Sequence, residues 1–177
     1  PYYNKTSQRG LVAHYTMIAD EMRMPILLYN VPSRTGVDIK PETYAELSKN
    51  PYIVAIKEAN GNISSVAKTM ALCDGNVPIL SLGGKGVISV LSNILPRQTH
   101  DIVARWLNGE PEESRRLQLE YLDLASALFS DVNPIPVKEA MNLMGMEVGD
   151  CRLPLCRMSE QGHDALAAVL RRHGLIA

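Results

Sequence analysis

Residues 26–57 read ILLYNVPSRTGVDIKPETYAELSKNPYIVAIK, and this stretch decides the fold class. It contains two short apolar runs, ILLYNV at 26–31 and YIVAIK at 52–57, which have the length of buried strands. Pro41 and Glu42, between the runs, suit the beginning of a helix. Continuous apolar runs are typical of a parallel sheet that is covered on both faces. The stretch therefore predicts a strand–helix–strand unit of an α/β protein.

The alternation of helix and strand continues on both sides of this stretch. Further helices are predicted at 7–22, 62–73, 96–107, 111–130, 134–144 and 159–173, and further strands at 77–81 and 86–90. The strand pattern ends at about residue 110, after which only helical patterns remain. We therefore predict an α/β part in residues 1–109 and a C-terminal helical domain in residues 110–177.

Two features indicate that this sequence is part of a longer one. Only four strands are predicted, whereas a closed β/α barrel has eight. Only residues 82–85 join the last two predicted strands, and parallel neighbours need a crossover of about a dozen residues or more. We therefore expect that strands are missing upstream and that further residues are missing after Ser81.

The composition excludes several classes of partner. The net charge of −1 argues against binding to nucleic acid or to a membrane surface, which would require a basic face. No apolar run has the roughly 18 residues of a membrane span. The three cysteines are odd in number and form no C-x-x-C pair, so we predict neither a metal site nor a disulfide framework, and we expect a cytoplasmic protein.

Lys57 is the first candidate for chemistry. It ends an apolar strand, and parallel α/β folds collect their reactive groups at the C-terminal ends of their strands. A lysine amine in a dry pocket can attack a carbonyl carbon. The residues alone leave open that Lys57 extends along apolar surface into water, or that it pairs with a carboxylate such as Glu58.

Two polar residues, Tyr29 and Arg34, lie near the end of the preceding predicted strand and in the loop after it. The phenol of Tyr29 could relay protons to a lysine on the adjacent strand, although a core tyrosine with a satisfied hydroxyl is an equally good interpretation. Arg34, in the loop beyond, could bind a carboxylate through its planar guanidinium, or could be a solvated loop arginine.

Five segments of the chain, in this order, resemble the dihydrodipicolinate synthase family of pyruvate-dependent aldolases. They are PYYNK at 1–5, YNVPSRTG at 29–36, IKEA at 56–59, GGKGVISV at 83–90 and NPIPVK at 133–138. The resemblance covers essentially the whole chain. It implies the C-terminal half of a TIM (β/α)8 barrel, incomplete in residues 1–109, followed by a C-terminal helical appendage in residues 110–177.

The resemblance also implies roles for individual residues. Lys57 corresponds to the lysine that forms an imine with pyruvate, and Tyr29 to a tyrosine that relays protons. Tyr3 corresponds to a tyrosine that enters the site of a neighbouring subunit. Arg34 corresponds to the arginine that binds the carboxylate of aspartate semialdehyde, and Ile88 to a rim residue whose carbonyl lies close to the lysine.

For the complete protein, the resemblance implies condensation of pyruvate with aspartate semialdehyde to 4-hydroxy-tetrahydrodipicolinate, in a homotetramer built as a dimer of dimers. It implies no metal and no cofactor. Two alternatives remain open at this point. One is a sister aldolase, such as N-acetylneuraminate lyase or a keto-deoxy-sugar acid aldolase, against which Arg34 speaks. The other is a non-catalytic homologue kept for binding or assembly.

Overall fold

The computed structural model describes residues 1–73 and 84–177. The chain divides into two compact units, Pro1–Gly86 and Val87–Ala177. The predicted strand at 77–81 and the predicted gap after Ser81 lie outside the described residues. The boundary predicted between residues 109 and 110 stays a prediction.

The first unit contains the strand–helix–strand arrangement that the sequence predicts. Its elements are α1 (Gln8–Met22), β1 (Ile26–Asn30), α2 (Pro32–Thr35), α3 (Pro41–Leu47), β2 (Ile53–Glu58) and α4 (Ile63–Leu72). Two helices begin at side-chain caps, since Ser7 accepts a hydrogen bond from the backbone of Gly10 and Asn62 from that of Ser65. The short helix α2 was not predicted, because its four residues are too few to show a helical period.

Strands β1 and β2 form a parallel pair, as predicted. Leu28 pairs with Ile56 and faces the core, where both are buried together with Leu11, Tyr44 and other residues of the flanking helices. The opposite face carries Leu27, which is half exposed. Among the described residues the helices thus cover one face of the sheet, whereas the sequence predicted two covered faces. The difference arises because the interior of a β/α barrel is filled by side chains from several strands, and only two strands are described here.

The second unit is helical. Its elements are a 3₁₀ turn (Leu91–Asn93), α5 (Pro96–Leu107), α6 (Pro111–Glu120), α7 (Leu122–Ala127), α8 (Ile135–Leu143) and α9 (Glu160–Arg172). The stretch near 111–130 is helical as predicted, but as two helices, because it is interrupted at Tyr121, whose φ of −102° and ψ of 13° depart from helical values. Leu124 in α7 and Leu128 just after it are fully buried with Leu166 and other core residues.

The strand predicted at 86–90 was wrong, since the described residues 84–89 belong to neither a helix nor a strand. Val87 and Ile88 are mostly exposed. A strand is held by backbone hydrogen bonds to a neighbouring strand, and in the described parts of the chain β1 and β2 pair only with each other. β-branched residues alone do not supply that neighbour.

Candidate active site

Lys57 and Tyr29 face each other across the two parallel strands. They are register partners, one from the end of β2 and one from the end of β1. The Lys57 Nζ atom lies 4.0 Å from the centroid of the Tyr29 ring, a distance at which an ammonium group is attracted to the face of an aromatic ring. Among the described residues, Lys57 is partly buried and Tyr29 is 46% exposed.

The neighbouring register pair, Asn30 and Glu58, lies on the other face of the sheet. Successive residues of a strand point to opposite sides, so these side chains face the helices. The Glu58 carboxylate accepts hydrogen bonds from Asn30 Nδ2 (2.9 and 3.1 Å), from the Tyr44 hydroxyl (3.0 Å) and from the backbone N–H of Asn60 (2.9 Å). Glu58 is therefore bound away from the Lys57 amine, and the pairing of Lys57 with Glu58 that the sequence left open does not describe this site.

Burial and hydrogen bonding shift the pKa values of two side chains beside the sheet, Tyr44 and Asp38. Burial, reinforced by the negative charge of Glu58, raises the pKa of Tyr44 above the usual value of a phenol. Burial disfavours the ionised form of Asp38, but hydrogen bonds from Lys40 and Asn30 outweigh that effect and lower the pKa of this carboxyl. At neutral pH the Tyr44 phenol is thus a donor and the Asp38 carboxylate an acceptor.

Arg34 lies in α2, which begins directly after β1. The backbone N–H groups of Arg34 and Thr35 donate to the Val31 carbonyl at 2.9 and 3.1 Å. The helix ends at Gly36, whose φ of 67° is a left-handed conformation that glycine adopts without strain. The backbone of Arg34 is therefore held in place, while its side chain is exposed just beyond the strand end that carries Tyr29.

The N-terminal segment that carries Tyr3 lies against the loop after β1. Lys5 packs over Gly36, where a Cβ atom would come within 2.9 Å of Lys5 Cε, and Lys5 Nζ donates to the Tyr3 carbonyl at 3.4 Å. Gln8, in the first turn of α1, donates to the backbone carbonyl of Asp38 at 2.9 Å. The side chain of Tyr3 itself is 83% exposed.

Ile88, the remaining predicted site residue, belongs to the second unit. Its side chain is 68% exposed and its segment has no regular secondary structure. The structure thus brings together Lys57 and Tyr29, and it places Arg34 and the Tyr3 segment beside the same loop. The predicted role of Ile88 stays a prediction.

Residues 1–73 and 84–177 contain neither a membrane-spanning helix nor a cluster of metal ligands. No helix there is long and apolar enough to cross a membrane. No group of three or more histidine, cysteine, aspartate or glutamate side chains there could hold a metal ion.

The sequence did not reveal the hydrogen-bonded residues behind the sheet. Asn30 is 1% exposed, yet its position at the end of an apolar run resembles any turn asparagine. Its partners are 8 and 28 residues away, so their convergence could not be read from local spacing. The one available signal was a polar residue that alternates with Leu28 on the buried side of the strand.

Comparisons with known proteins point to one family. The sequence model of the dihydrodipicolinate synthetase family matches residues 1–173. The 4-hydroxy-tetrahydrodipicolinate synthase of Caldicellulosiruptor bescii is 55% identical over 185 residues, a match that covers 99% of this chain and 63% of that protein. The enzyme of the same name from Acetivibrio thermocellus is 52% identical over 187 residues, with the same coverage.

The structural comparison gives the same result. The crystal structure of dihydrodipicolinate synthase from Thermotoga maritima has a TM-score of 0.94 and 40% sequence identity, covering 99% of this chain and 65% of that chain. The corresponding enzyme from Aquifex aeolicus has a TM-score of 0.93 and 36% identity, covering 99% and 64%. The chain therefore has the α/β fold of the C-terminal part of a TIM barrel followed by helices.

The extent of the match limits what it shows. The chain spans about 63% of the length of the curated relatives that it matches. Both curated alignments are longer than the 177 residues of the chain, because the relatives contain residues with no counterpart here. The match nevertheless extends over nearly every residue present, and it includes both strands of the candidate site. The chain belongs to the dihydrodipicolinate synthetase family.

Proposed function

We propose that the protein containing this chain is a 4-hydroxy-tetrahydrodipicolinate synthase in which Lys57 is the covalent nucleophile. The observation that carries the proposal is the amine of Lys57, 4.0 Å from the centre of the Tyr29 ring. Both residues stand at the C-terminal ends of adjacent parallel strands, where this class of fold performs its chemistry. The identity of 50–55% with enzymes of that name supports the same reaction.

The reaction begins when the Lys57 amine attacks the ketone carbon of pyruvate and water leaves, which forms a protonated imine. Loss of a proton from the methyl carbon gives an enamine, because the imine nitrogen accepts the electron pair. The enamine carbon then attacks the aldehyde of aspartate semialdehyde. Finally, the amino group of the former semialdehyde attacks the imine carbon, which closes the ring and releases Lys57. The protonated imine is the electron sink, so the sequence of steps requires neither a metal nor a cofactor.

Three neighbouring residues have supporting roles in this proposal. Tyr29 transfers protons to and from the groups that react at Lys57, and Tyr3 completes that transfer in the site of an adjacent subunit. Arg34 binds the carboxylate of aspartate semialdehyde, since its guanidinium can form two parallel hydrogen bonds to it. The exposed guanidinium beyond the end of β1, on a backbone that α2 fixes, supports this assignment. Ile88 contributes its carbonyl to the rim of the site.

The assembly and location follow from the same assignment. We propose a homotetramer built as a dimer of dimers, because the role of Tyr3 requires a neighbouring subunit. The high exposure of Tyr3, at 83%, supports a contact with another copy of the chain. We further propose a cytoplasmic location, since an odd number of cysteines with no C-x-x-C pair fits a reducing compartment. Light scattering of the full-length protein measures the assembly directly.

Trapping of the imine tests the central step. The full-length protein is incubated with pyruvate and borohydride, and the reduced adduct is located by peptide mass spectrometry. We expect one pyruvyl group per subunit, on the peptide that contains Lys57. Lys57→Ala should abolish the adduct and turnover, whereas Lys68→Ala should preserve both. Lys68 is the matched control because it pairs with Glu42 on exposed helical surface.

The same experiment separates the alternatives. An adduct that maps to another lysine, or no adduct in the folded wild-type protein, would refute the role of Lys57 and favour a non-catalytic homologue. An adduct at Lys57 in an enzyme that prefers N-acetylmannosamine or a sugar-acid aldehyde over aspartate semialdehyde would identify a sister aldolase.

A further inference from the structure

The hydrogen bonds between Asn30 and Glu58, on the face of the sheet opposite the proposed nucleophile, have a consequence for the chemistry. We propose that these two residues form an amide–carboxylate clamp that positions Lys57 against Tyr29. Asn30 and Glu58 are then positioning residues, which act through their strand neighbours and do not touch substrate. This inference rests on the proposed function of Lys57 and deepens it.

Asn30 is the buried and fully hydrogen-bonded member of the clamp. Asn30 is 1% exposed, and its Nδ2 group donates to both Glu58 oxygens, at 2.9 and 3.1 Å, and to Asp38 Oδ1 at 2.9 Å. Its Oδ1 atom accepts the backbone N–H of Ile39 at 3.1 Å. Every polar atom of the Asn30 side chain is thus engaged. Because a buried amide that loses its partners is unfavourable, the strand ends have little freedom to shift.

The clamp lies directly behind the reacting pair. Asn30 follows Tyr29 in β1, Glu58 follows Lys57 in β2, and each residue pairs with its counterpart across the strands. The backbone N–H of Ala59 also donates to the Asn30 carbonyl at 2.9 Å, which extends the pairing one residue beyond Glu58. A slip of one residue would turn every side chain to the opposite face. Fixing Asn30 to Glu58 therefore fixes the Lys57 amine over the Tyr29 ring.

The chemistry of the clamp requires an amide at position 30. The Asn30 amide lies between two carboxylates, those of Asp38 and Glu58, and donates to both. An aspartate at position 30 would place a third carboxylate there, with like charges at hydrogen-bond distance. An apolar residue would leave both carboxylates without this donor. Only a neutral side chain with two N–H donors joins the three strand and loop segments at this point.

Loss of the clamp should impair the reaction more than it impairs folding. The strands would still pair through their backbones and pack through Leu28 and Ile56, but their ends could move relative to each other. Misplacement of reacting groups by about 1 Å can reduce a rate by roughly 100-fold. We therefore expect Asn30→Ala to slow imine formation, per folded molecule, by about 10- to 100-fold.

The test measures the rate of pyruvate trapping by borohydride, together with kcat and the KM for pyruvate, in the full-length enzyme. The variants are Asn30→Ala, Tyr29→Phe and the double variant. If the clamp acts through the Lys57–Tyr29 geometry, Asn30→Ala should reduce the trapping rate much less in the Tyr29→Phe background than in the wild-type background. Asn50→Ala is the matched control, because Asn50 Nδ2 donates to Asp20 at 2.8 Å before β2 begins, and we expect it to leave the trapping rate unchanged.

A second pair of variants keeps the test decisive if Asn30→Ala fails to fold. Glu58→Gln retains an acceptor oxygen for Asn30 and should keep most of the rate, whereas Glu58→Ala should lose it about 10- to 100-fold. Equal rates for Glu58→Gln, Glu58→Ala and wild type, with an adduct at Lys57, would overturn the clamp and leave the proposed function intact. The clamp would also be overturned if Asn30→Ala reduced the trapping rate by the same factor with and without the Tyr29 hydroxyl. A wild-type enzyme that forms no adduct would refute both.

Discussion

Removing the Tyr44 hydroxyl, by Tyr44→Phe, should destabilise the protein at neutral pH. The side chain is 1% exposed, and its hydroxyl donates to Glu58 at 3.0 Å. A hydrogen bond to a charged group contributes about 1.5–3 kcal/mol. The loss is reduced because Glu58 keeps its donors Asn30 and Asn60, and because phenylalanine is less costly to bury than tyrosine. We therefore expect a net decrease of about 1–2 kcal/mol in the free energy of unfolding.

The difference between wild type and variant should shrink at alkaline pH. Burial beside Glu58 raises the pKa of Tyr44, so the folded state keeps a proton that an unfolded tyrosine loses above a pH of about 10. The Tyr44 contribution is therefore complete below that pH. Above it, the wild-type free energy of unfolding falls by about 1.4 kcal/mol per pH unit relative to the variant. The two stabilities should meet roughly one pH unit higher, near pH 11.

Urea denaturation followed by circular dichroism, at intervals between pH 7 and pH 11.5, measures this difference. Tyr2→Phe serves as the control, because Tyr2 is 73% exposed and its substitution should parallel the wild type at every pH. Other groups that titrate in this range affect all three proteins equally and cancel in the comparison. A Tyr44→Phe deficit that stays constant up to pH 11.5 would refute the argument, since the phenol would then not be a buried proton donor to Glu58.

Three further outcomes are expected. Tyr29→Phe should reduce kcat by about 100-fold while the melting temperature stays close to that of the wild type, and the reverse result would make Tyr29 structural. Arg34→Ala should raise the KM for aspartate semialdehyde much more than that for pyruvate, with borohydride trapping at Lys57 preserved; equal damage to both would mean that Arg34 supports its loop. In the helical unit, Leu124→Ala should destabilise the protein by about 2–5 kcal/mol in urea unfolding. Leu119→Ala, at a site that is 61% exposed, should have little effect.

The strand pair was predictable because its signals are local. Each strand is a short apolar run between turn residues, and the rule that reactive groups lie at the C-terminal strand ends identified Lys57 and Tyr29. That they are direct register partners follows only from the structure. The errors at 86–90 and at Tyr121 have a different origin. A strand requires a neighbouring strand, and a single-residue interruption of a helix leaves the apolar period almost unchanged, so neither can be recognised from local periodicity.

The hydrogen bonds behind the sheet were not predictable for a related reason. Asn30 and Glu58 are 28 residues apart, and Tyr44 comes from the helix between them. Each residue alone has an ordinary interpretation, as a turn asparagine, a strand-end glutamate and a helical tyrosine. Their joint meaning appears only when the parallel register brings Asn30 opposite Glu58. Distant convergence of this kind leaves no spacing in the sequence.

Strand β2 ends in two adjacent residues of opposite charge, Lys57 and Glu58, and the alternation of a strand keeps them apart. If both side chains lay on one face, the Glu58 carboxylate could form an ion pair with the Lys57 amine, which has to react. Instead Glu58 is held by donors that include the buried Asn30 and Tyr44, while Lys57 lies on the opposite face of the sheet, over the Tyr29 ring. The amine therefore stays available to a carbonyl, although a fixed negative charge adjoins it in sequence. Exchanging the two residues should abolish both the buried network and imine formation, because the amine would then face the helices.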